Sequence, residues 1–438
     1  MREINAEIVV VGAGPAGIAA TVRAAESLAR NDNRASVVLV DDNAVPGGQI
    51  WRASRGLPIT AQRWLERLRD LERQGRANVL TGATVAHADG PRRLYADCAD
   101  GPVALNNQRL ILATGAQELF LPFPGWTLPG VYGAGGLQAL VKGGLDITGQ
   151  RVLIAGSGPL LWTVAADLRR RGAEIVGIAE QAPLGRLFRF GAGLATHPNK
   201  LSQSLRMAPA LGRMRRFLGT WPVRAQSDEQ TGGERLKSVV LTNGQRETTL
   251  DCDALACSFG LVPDSRLAAL LGCLVNDGRV AVDQKQQTSV DDVWAAGEPT
   301  AIGGVDAALL EGEIAGLAAA GSDDEAATLA RRRARHDAFT HLLANVFSLR
   351  DELRHLAEDD TVVCRCEDAH WRDLRDATCA IDAKLRSRCG MGPCQGRVCS
   401  PALAFLKSFD PNPAVRPPLF PVPLSFWAAM DNQRQSTP

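Results

Sequence analysis

Clustered cysteines near the C-terminus are the residues best suited to chemistry in this 438-residue chain. Six of the ten cysteines lie between Cys364 and Cys399, which indicates metal or redox chemistry rather than structural disulfides. A CxC pair, Cys364 and Cys366, precedes the evenly spaced Cys389, Cys394 and Cys399. Thiolates at these separations can hold two irons bridged by sulfide, and intervening glycines let the backbone wrap a cluster. Spacing alone leaves three candidates for two ligand positions, and tetrahedral zinc or a metal-free module are the alternatives.

A glycine-rich turn near the N-terminus is a second chemical motif. It follows the apolar run 7–11, precedes an alanine-rich helical stretch, and contains Gly12, Gly14, Pro15, Ala16 and Gly17. The first glycine of such a turn permits tight bending, the second lets the backbone approach a pyrophosphate, and the third lets helix and strand pack closely. The next apolar strand ends at Asp41 and Asp42, either of which can accept hydrogen bonds from a ribose. The motif therefore predicts a bound dinucleotide.

Three further segments favour FAD as that dinucleotide. They consist mainly of small residues at positions where the backbone must pass close to the cofactor: Gly47, Gly48 and Gln49; Ala113, Thr114 and Gly115; and Gly297, Glu298 and Gly304. The pattern over residues 1–320 resembles the flavoproteins that have two dinucleotide-binding domains. That resemblance implies that the acid after the last strand, here Glu298 where Asp is commoner, contacts the ribityl chain.

A second glycine turn is degenerate. Gly156 and Gly158 match the first two positions, but Leu161 replaces the third glycine, and Glu180 ends the following strand. Leucine at this position would push the helix away from the strand. Three states stay open for the site: reduction by NADH, a second adenine nucleotide that does not react, or an empty scaffold. Residues 1–320 also lack the CxxC pair that a disulfide reductase of this fold needs beside its flavin.

Alternating strand and helix signals predict an α/β fold. It has two dinucleotide-binding, Rossmann-like domains, the second inserted in the first, and a small α-rich C-terminal [2Fe–2S] domain. The expected boundaries are 1–116 with 259–321 for the FAD-binding domain, 117–258 for the second nucleotide-binding domain, 322–358 for a helical connector, 359–408 for the cysteine module and 409–438 for an extended proline-rich tail.

Charge and hydropathy restrict the partners. The formal net charge of +1 gives no reason to expect nucleic acid. No apolar stretch reaches the roughly 18–20 residues of a membrane span, and the N-terminal apolar run reads as a buried strand rather than an export signal. We therefore expect a cytoplasmic protein, with peripheral association with the inner membrane left open. The arginine run 331–333 is interpreted as a solvated helix face.

A flavin fold followed by this cysteine module resembles one group in particular, the alpha subunits of heteromeric flavin-dependent amino-acid dehydrogenases. The group includes opine oxidase, hydrogen cyanide synthase and D-hydroxyproline dehydrogenase. The likeness lies in residues 47–52, 122–131, 258–263, 303–306 and 311–312 and in the module's CRCE and GMGPCQGRVC segments. The module itself resembles the bacterioferritin-associated-ferredoxin-like [2Fe–2S] domain, which implies the ligands Cys364, Cys366, Cys394 and Cys399 and leaves Cys389 just outside.

The resemblance also implies a role and partners. In such enzymes a separate beta subunit of the amino-acid oxidase type binds its own FAD and oxidises the amine, and relatives can hold FMN between the subunits. A small third subunit is compatible with the same architecture. This chain would then relay electrons to a quinone or another acceptor, and the partner would select the amino acid or opine.

Two other functions compete with an electron relay. One is a self-contained NADH-dependent reductase that sends electrons through FAD to the cluster. The other is a binding module in which the iron-sulfur domain docks a partner without turnover. No constellation of side chains for amine deprotonation stands out near the flavin segments, so the sequence identifies no catalytic residue. The six histidines are scattered along the chain.

Overall fold

Short apolar, often β-branched runs form most of the strands, as expected where strands are buried on both faces. In chain order the strands are β1 Arg2–Val11, β2 Val37–Val40, β3 Ala77–Leu80, β4 Ala83–Ala88, β5 Arg93–Cys98, β6 Val103–Leu112, β7 Ala116–Glu118, β8 Val131–Gly133, β9 Arg151–Gly156, β10 Glu174–Glu180, β11 Arg216–Leu218, β12 Trp221–Ser227, β13 Leu236–Thr242, β14 Glu247–Asp251, β15 Ala254–Ser258, β16 Leu261–Pro263, β17 Val275–Asn276, β18 Arg279–Val280, β19 Val293–Ala295, β20 Val362–Cys364 and β21 Ala369–His370.

Helices alternate with these strands. In chain order they are α1 Pro15–Asn31, α2 Gly48–Trp51, α3 Ile59–Arg73, α4 Ala134–Lys142, α5 Pro159–Arg170, α6 Leu184–Leu194, α7 Arg266–Leu270, α8 Val305–Ala319, α9 Asp323–Val346, α10 Trp371–Leu374, α11 Ala380–Ser387, α12 Cys399–Lys407 and α13 Leu424–Gln435. A 3₁₀ turn covers Asp351–His355. Within the residues that the structure describes, no helix is both long and apolar enough to cross a bilayer.

The computed structural model describes residues 1–31, 36–51, 56–197, 200–202, 212, 214–228, 234–410 and 415–435. Arg52, part of the segment quoted above for its family likeness, lies outside these ranges. The chain divides into two units. The first comprises Met1–Gln117, Pro263–Ala338 and Ala414–Pro438, and the second comprises Glu118–Val262 and Phe339–Pro413.

The first unit contains a sheet in the order β3-β2-β1-β6-β5-β4, with β19 also paired to β6. Strands β1, β2, β6 and β19 run parallel, and Val11 is in register with both Val40 and Leu112. Because parallel strands end at one edge, the residues that follow them must meet there. The glycine turn, Asp41, Ala113 and Gly297 therefore lie along the same edge of the sheet.

Helices α1 and α8 pack against each other closely in this unit. A Cβ on Gly312 of α8 would lie 2.1 Å from the carbonyl oxygen of Ala16, and one on Gly316 would lie 2.3 Å from that of Ala20. Only glycine permits this approach, since real Cβ atoms do not come so near a carbonyl oxygen. The glycines thus hold α8 against the helix that begins at the first glycine turn.

The second unit repeats the parallel arrangement. Its sheet has the order β11-β10-β9-β15-β8, and a separate antiparallel sheet has the order β12-β13-β14. Gly156 at the end of β9 is in register with Glu180 of β10 and Ser258 of β15. One sheet with a parallel core and antiparallel strands β5 and β4 at one side, and one parallel sheet, each accompanied by helices, confirm the predicted α/β class. The short helices α10–α12 form the C-terminal helical region.

The tail differs from the extended segment that its prolines predicted. Residues Leu424–Gln435 form helix α13, and residues 411–414 and 436–438 of the expected tail lie outside the described ranges. Phe426 and Met430 of α13 are buried with Ala86, Tyr95 and Ala104 of the first unit. The expectation was wrong over this stretch because the prolines stop at Pro423, and an apolar pair spaced four residues apart follows them.

Docking of α13 can be tested at Phe426, which is fully buried. Phe426→Ala is expected to weaken docking by about 3 kcal/mol, since removal of a buried phenylalanine leaves a cavity. Amide hydrogen exchange within 424–431 should then become faster, as should proteolysis. Leu424→Ala is the matched control, because Leu424 is 86% exposed. Unchanged protection in Phe426→Ala would contradict the packing.

Candidate functional site

The first glycine turn makes two contacts that exclude any side chain. A Cβ on Gly12 would lie 2.2 Å from the carbonyl oxygen of Ala113, and one on Gly17 would lie 1.7 Å from the carbonyl oxygen of Gly12. Gly12 also has a φ of +104°, where L side chains are strained. The structure therefore gives physical reasons for the first and third glycines.

Asp41 and Asp42 have different surroundings. Asp41 is buried, and its carboxylate accepts hydrogen bonds from the backbone N–H of Ala13 and from the backbone and side-chain nitrogens of Asn43, the latter two at 2.7 Å. Asp42 is exposed and accepts a hydrogen bond from Asn43 Nδ2 at 2.9 Å. Asp41 thus ties the glycine turn to the end of β2, the position from which a ribose would be bound.

Residues 47–49 lie beside the turn. The Gly47 N–H donates to the carbonyl oxygen of Ala13 at 2.8 Å, and a Cβ on Gly48 would lie 2.9 Å from Gly14 Cα. Gln49 is exposed at the start of α2. The Pro46–Gly48 segment therefore packs directly on the turn, as predicted for a chain that borders a bound dinucleotide.

The Ala113–Gly115 segment is anchored on its other side. Thr114 Oγ1 donates to the carbonyl oxygen of Asp264 at 2.6 Å, and the Asp264 N–H donates to the carbonyl oxygen of Gly115 at 3.0 Å. Asp264 also binds Arg266, with 2.6 Å between Oδ2 and Nη2. These bonds hold the segment at the sheet edge.

Three glycines of the predicted FAD segments border open space, which is what a bound dinucleotide would need there. A Cβ added to Gly14, Gly115 or Gly304 would meet no atom within 4 Å, although all three lie among the predicted FAD segments. Glu298 adds a polar group. Burial raises the pKa of its carboxyl group, and no group among the described residues donates a hydrogen bond to it. An open backbone cradle with an unpartnered acid is what a bound FAD would require.

A buried ion pair supports the loop at Gly297. Glu311 of α8 accepts hydrogen bonds from the Gly297 N–H at 2.9 Å and from Thr300 Oγ1 at 3.1 Å. Its other oxygen accepts from Arg333 Nε of α9 at 3.1 Å, and the side chains of Glu311 and Arg333 are 4% and 19% exposed. Arg333 Nη1 also donates to the side-chain oxygen of Gln286 at 2.9 Å. The interpretation of the arginine run as a solvated face is wrong for Arg333.

Sequence reasoning missed this network for a simple reason. Glu311 and Arg333 lie on different helices, 22 residues apart, so no helical spacing links them. Burial raises the pKa of Glu311, while Arg333 and the hydrogen bonds from Gly297 and Thr300 act in the opposite direction. The only available signal was the position of Glu311 among the residues that carry the family likeness.

The second glycine turn shares one close backbone contact with the first turn. A Cβ on Gly156 would lie 1.7 Å from the carbonyl oxygen of Ser258, which repeats the contact of Gly12 with Ala113. Leu161 is fully buried in the core of the second unit. Because Leu161 occupies space that Gly17 leaves to the Gly12 carbonyl, α5 cannot approach its strand as α1 does.

Glu180 is enclosed at this second turn. Its side chain is fully buried and accepts hydrogen bonds from the N–H groups of Gly158 at 2.8 Å and Ala182 at 2.9 Å. Burial raises the pKa of Glu180 to about 7, although these backbone bonds lower it. Both carboxylate oxygens are therefore used by the chain itself.

Backbone from residues 347–348 covers the same edge. Ser157 Oγ donates to the Phe347 carbonyl oxygen at 3.1 Å, and Gln181 Nε2 donates to the Ser348 carbonyl oxygen at 3.3 Å. Gln181 is fully buried. The second turn is thus bordered by the segment that follows α9, which the sequence did not predict.

Three cysteines of the C-terminal module form one close group. The sulfurs of Cys364, Cys389 and Cys399 all lie within 4.8 Å of one another, and all three residues are buried. Cys366 is exposed, and the pKa of its thiol lies above its ordinary value, with the backbone and thiol of Cys394 among the groups that act on it. The structure therefore brings Cys364 and Cys399 together, and it places Cys389, which the family likeness leaves outside the ligand set, in the same close group.

Close backbone contacts shape this module. A Cβ on Gly392 would lie 2.3 Å from Cys366 Cβ, and one on Gly396, whose φ is +79°, would lie 2.3 Å from Ser400 Oγ. Hydrogen bonds from the Cys389 and Cys399 thiols lower the pKa of Cys364, and the same contacts raise the pKa of Cys399. The three buried sulfurs thus share one site, and cysteine sulfurs are the ligands that hold iron-sulfur clusters. The donor set fits an iron-sulfur centre.

Most of the chain matches a known protein family. Residues 6–312 match the family described as pyridine nucleotide-disulphide oxidoreductase. The chain belongs to this family. It is 32% identical over 434 residues to the hydrogen cyanide synthase subunit HcnB of Pseudomonas aeruginosa, covering 90% of this chain and 91% of that protein. It is 30% identical over 480 residues to one of the opine oxidase subunits of Rhizobium meliloti, covering 95% of this chain and 97% of that protein.

Solved structures agree on the fold. L-proline dehydrogenase from P. horikoshii superimposes with a TM-score of 0.66 at 17% identity, over 97% of this chain and 80% of that one. Thioredoxin reductase from T. acidophilum gives a TM-score of 0.53 at 19% identity, over 73% of this chain and 99% of that one. Family membership makes this chain an oxidoreductase, and it supports FAD as the cofactor of the first glycine turn.

Gly14 provides a test of the flavin site. Gly14→Ala places a methyl group in the open space of the cradle without touching the protein, so FAD affinity should fall at least about tenfold while the fold is kept. Flavin absorbance per chain and thermal unfolding of the flavin-free protein measure the two effects. Gly185→Ala, also in open space but on α6, is the matched control. Full flavin content in Gly14→Ala would contradict the placement of a pyrophosphate here.

Arg333→Met tests the buried ion pair. Unfolding in urea should show a loss of about 3 kcal/mol at neutral pH, since the Glu311 charge is left unpaired. Arg332→Met, at the exposed neighbouring position, should change stability by no more than about 0.5 kcal/mol.

The loss of stability in Arg333→Met should also depend on pH. The pKa of Glu311 already lies above its ordinary 4.5, and removal of Arg333 raises it further. An acid with a raised folded-state pKa loses stability as pH rises from its unfolded pKa. The deficit of Arg333→Met should therefore be small near pH 4.5 and grow with pH. A deficit independent of pH would count against the pairing.

Proposed function

We propose that this chain is the electron-transferring FAD and [2Fe–2S] subunit of a heteromeric amino-acid or opine dehydrogenase. One observation carries the proposal: a group of close, buried cysteines in the C-terminal module accompanies a flavin-type sheet edge in a single chain. Two relatives that align over nine tenths or more of their own length are named as subunits, one of a hydrogen cyanide synthase and one of an opine oxidase. Such assemblies oxidise amines, so we extend amine oxidation to the complex that contains this chain.

FAD would be held by the first sheet edge. Gly14, Ala16 and Gly17 would bring backbone N–H groups to the pyrophosphate, Gly12 and Pro15 would shape the turn, and Asp41 rather than Asp42 would bind the ribose. The other contacts would come from Gly47, Gly48, Gln49, Ala113, Thr114, Gly115, Gly297, Glu298 and Gly304. FAD supplies reversible acceptance of two electrons. Glu311 and Arg333 would keep the Gly297 N–H in place at this edge.

A [2Fe–2S] cluster would be held by two cysteine pairs, Cys364 with Cys399 and Cys366 with Cys394. Each iron of such a cluster takes two thiolates. These two pairs come from the family likeness, and Cys389 lies in the same close group as Cys364 and Cys399. The cluster supplies one-electron transfer, and the exposed Cys366 would bring it near the surface. Tetrahedral zinc would instead call for four cysteine or histidine ligands around one point, and the close group found among the described residues has three donors.

The domain limits that we propose are those expected from the sequence. Residues 1–116 and 259–321 would bind FAD, 117–258 would form the second nucleotide-type domain, 322–358 the connector and 359–408 the cluster module. The partner would be an FAD-containing beta subunit, and both an interfacial FMN and a small third subunit would be compatible with it. The complex would work in the cytoplasm or peripherally at the inner membrane and pass electrons to a quinone or similar acceptor.

A self-contained NADH-dependent reductase is the second candidate. The family match and the retained Gly156 and Gly158 favour it. Against it stand the backbone of residues 347–348 over the same edge and the buried Leu161. We therefore favour a second site that does not deliver hydride to the flavin, whether or not an adenine nucleotide binds there.

Anaerobic addition of NADH to the purified chain separates the two candidates. The electron-relay proposal predicts no flavin bleaching within seconds, because Leu161 and the covered edge disfavour a productive nicotinamide complex. The chain co-expressed with its native partner should instead show flavin reduction by an amino acid or opine. Rapid bleaching by NADH alone would overturn the relay role. Full amine oxidation by the isolated chain would overturn the need for a partner.

A further inference from the structure

Five cysteines of the C-terminal module, not four, are candidate ligands of the proposed cluster. Cys389 is buried, and its sulfur lies within 4.8 Å of the sulfurs of both Cys364 and Cys399. The exposed Cys379, by contrast, accepts a hydrogen bond from the Asp382 N–H at the start of α11. A [2Fe–2S] cluster takes four thiolates, so one thiol of the five is surplus.

The position of the surplus thiol is specific. Cys389 lies in the group that holds Cys364 and Cys399, and that group of mutually close sulfurs includes neither Cys366 nor Cys394. It follows the left-handed Arg388 that ends α11 and precedes Gly390, whose φ is +82°. A flexible glycine directly after Cys389 lets its sulfur shift without moving the helix.

We propose that Cys389 is a reserve ligand for one iron of the cluster, able to replace Cys364 or Cys399 but not Cys366 or Cys394. The inference rests on the proposed cluster. In the replacement, the Cys389 thiol releases its proton to solvent and its thiolate forms the iron–sulfur bond that the missing cysteine would have made. No electron is transferred, and the iron keeps four sulfur ligands.

Alanine substitutions distinguish the two cysteine pairs. After anaerobic reconstitution with ferrous iron and sulfide, the wild-type chain should hold about two irons and two sulfides. Cys399→Ala should retain a similar content with an altered electron paramagnetic resonance spectrum of the reduced cluster, because Cys389 has entered the ligand set. Cys394→Ala should lose most of its iron. The double variant Cys399→Ala/Cys389→Ala should lose it as well.

Controls keep the outcomes distinct. Cys389→Ala alone and Cys379→Ser should both match the wild-type iron content, since neither removes a regular ligand. If Cys399→Ala fails to fold by circular dichroism, Cys364→Ala tests the same rescue through Cys389 and Cys399. Loss of iron from Cys399→Ala equal to that from Cys394→Ala would overturn the reserve role and leave the cluster intact as a proposal. A wild-type chain that binds no iron would overturn the cluster itself.

Discussion

Close approach of backbone to backbone at the carboxyl edge of each parallel sheet is the constraint on which the rest of the molecule depends. Gly12 and Gly156 both sit where a Cβ would collide with the carbonyl oxygen that ends a neighbouring strand, Ala113 in one sheet and Ser258 in the other. Side chains are excluded there for steric reasons, whatever is bound. The edge of the first sheet keeps glycine at the third position of its turn, whereas the buried side chain of Leu161 fills that position in the second turn.

Much of the first edge could be predicted from the sequence because its determinants are local. A glycine turn between strand and helix, an acid after the next strand and small residues after later strands are all visible as short patterns, and parallel pairing then brings them together. The sequence could not show whether Asp41 or Asp42 contacts the glycine turn, because that depends on which side chain points toward the turn. Adjacent residues of the same type differ only through such three-dimensional surroundings.

Features that depend on distant partners escaped prediction. Arg333 belongs to an arginine run that the sequence suggests is solvated, yet its side chain pairs with the buried carboxylate of Glu311 on another helix. Cys389, Cys394 and Cys399 are evenly spaced, so nothing in the sequence tells which of them faces Cys364. The helix at Leu424–Gln435 was masked by the prolines before it. In each case tertiary contact, not propensity, decides the outcome.

The chain passes from the first unit to the second and back again, and this path decides how the cysteine module can be removed. The module belongs to the second unit, but the chain then returns to the first, where Phe426 is buried against its sheet. The module is therefore tethered at both ends, like an insertion rather than an appendage. Excising it requires two cuts, and a stop codon placed just after it would also remove a buried part of the flavin-type unit. A gene truncation meant to delete only the module would therefore alter both the module and the first unit.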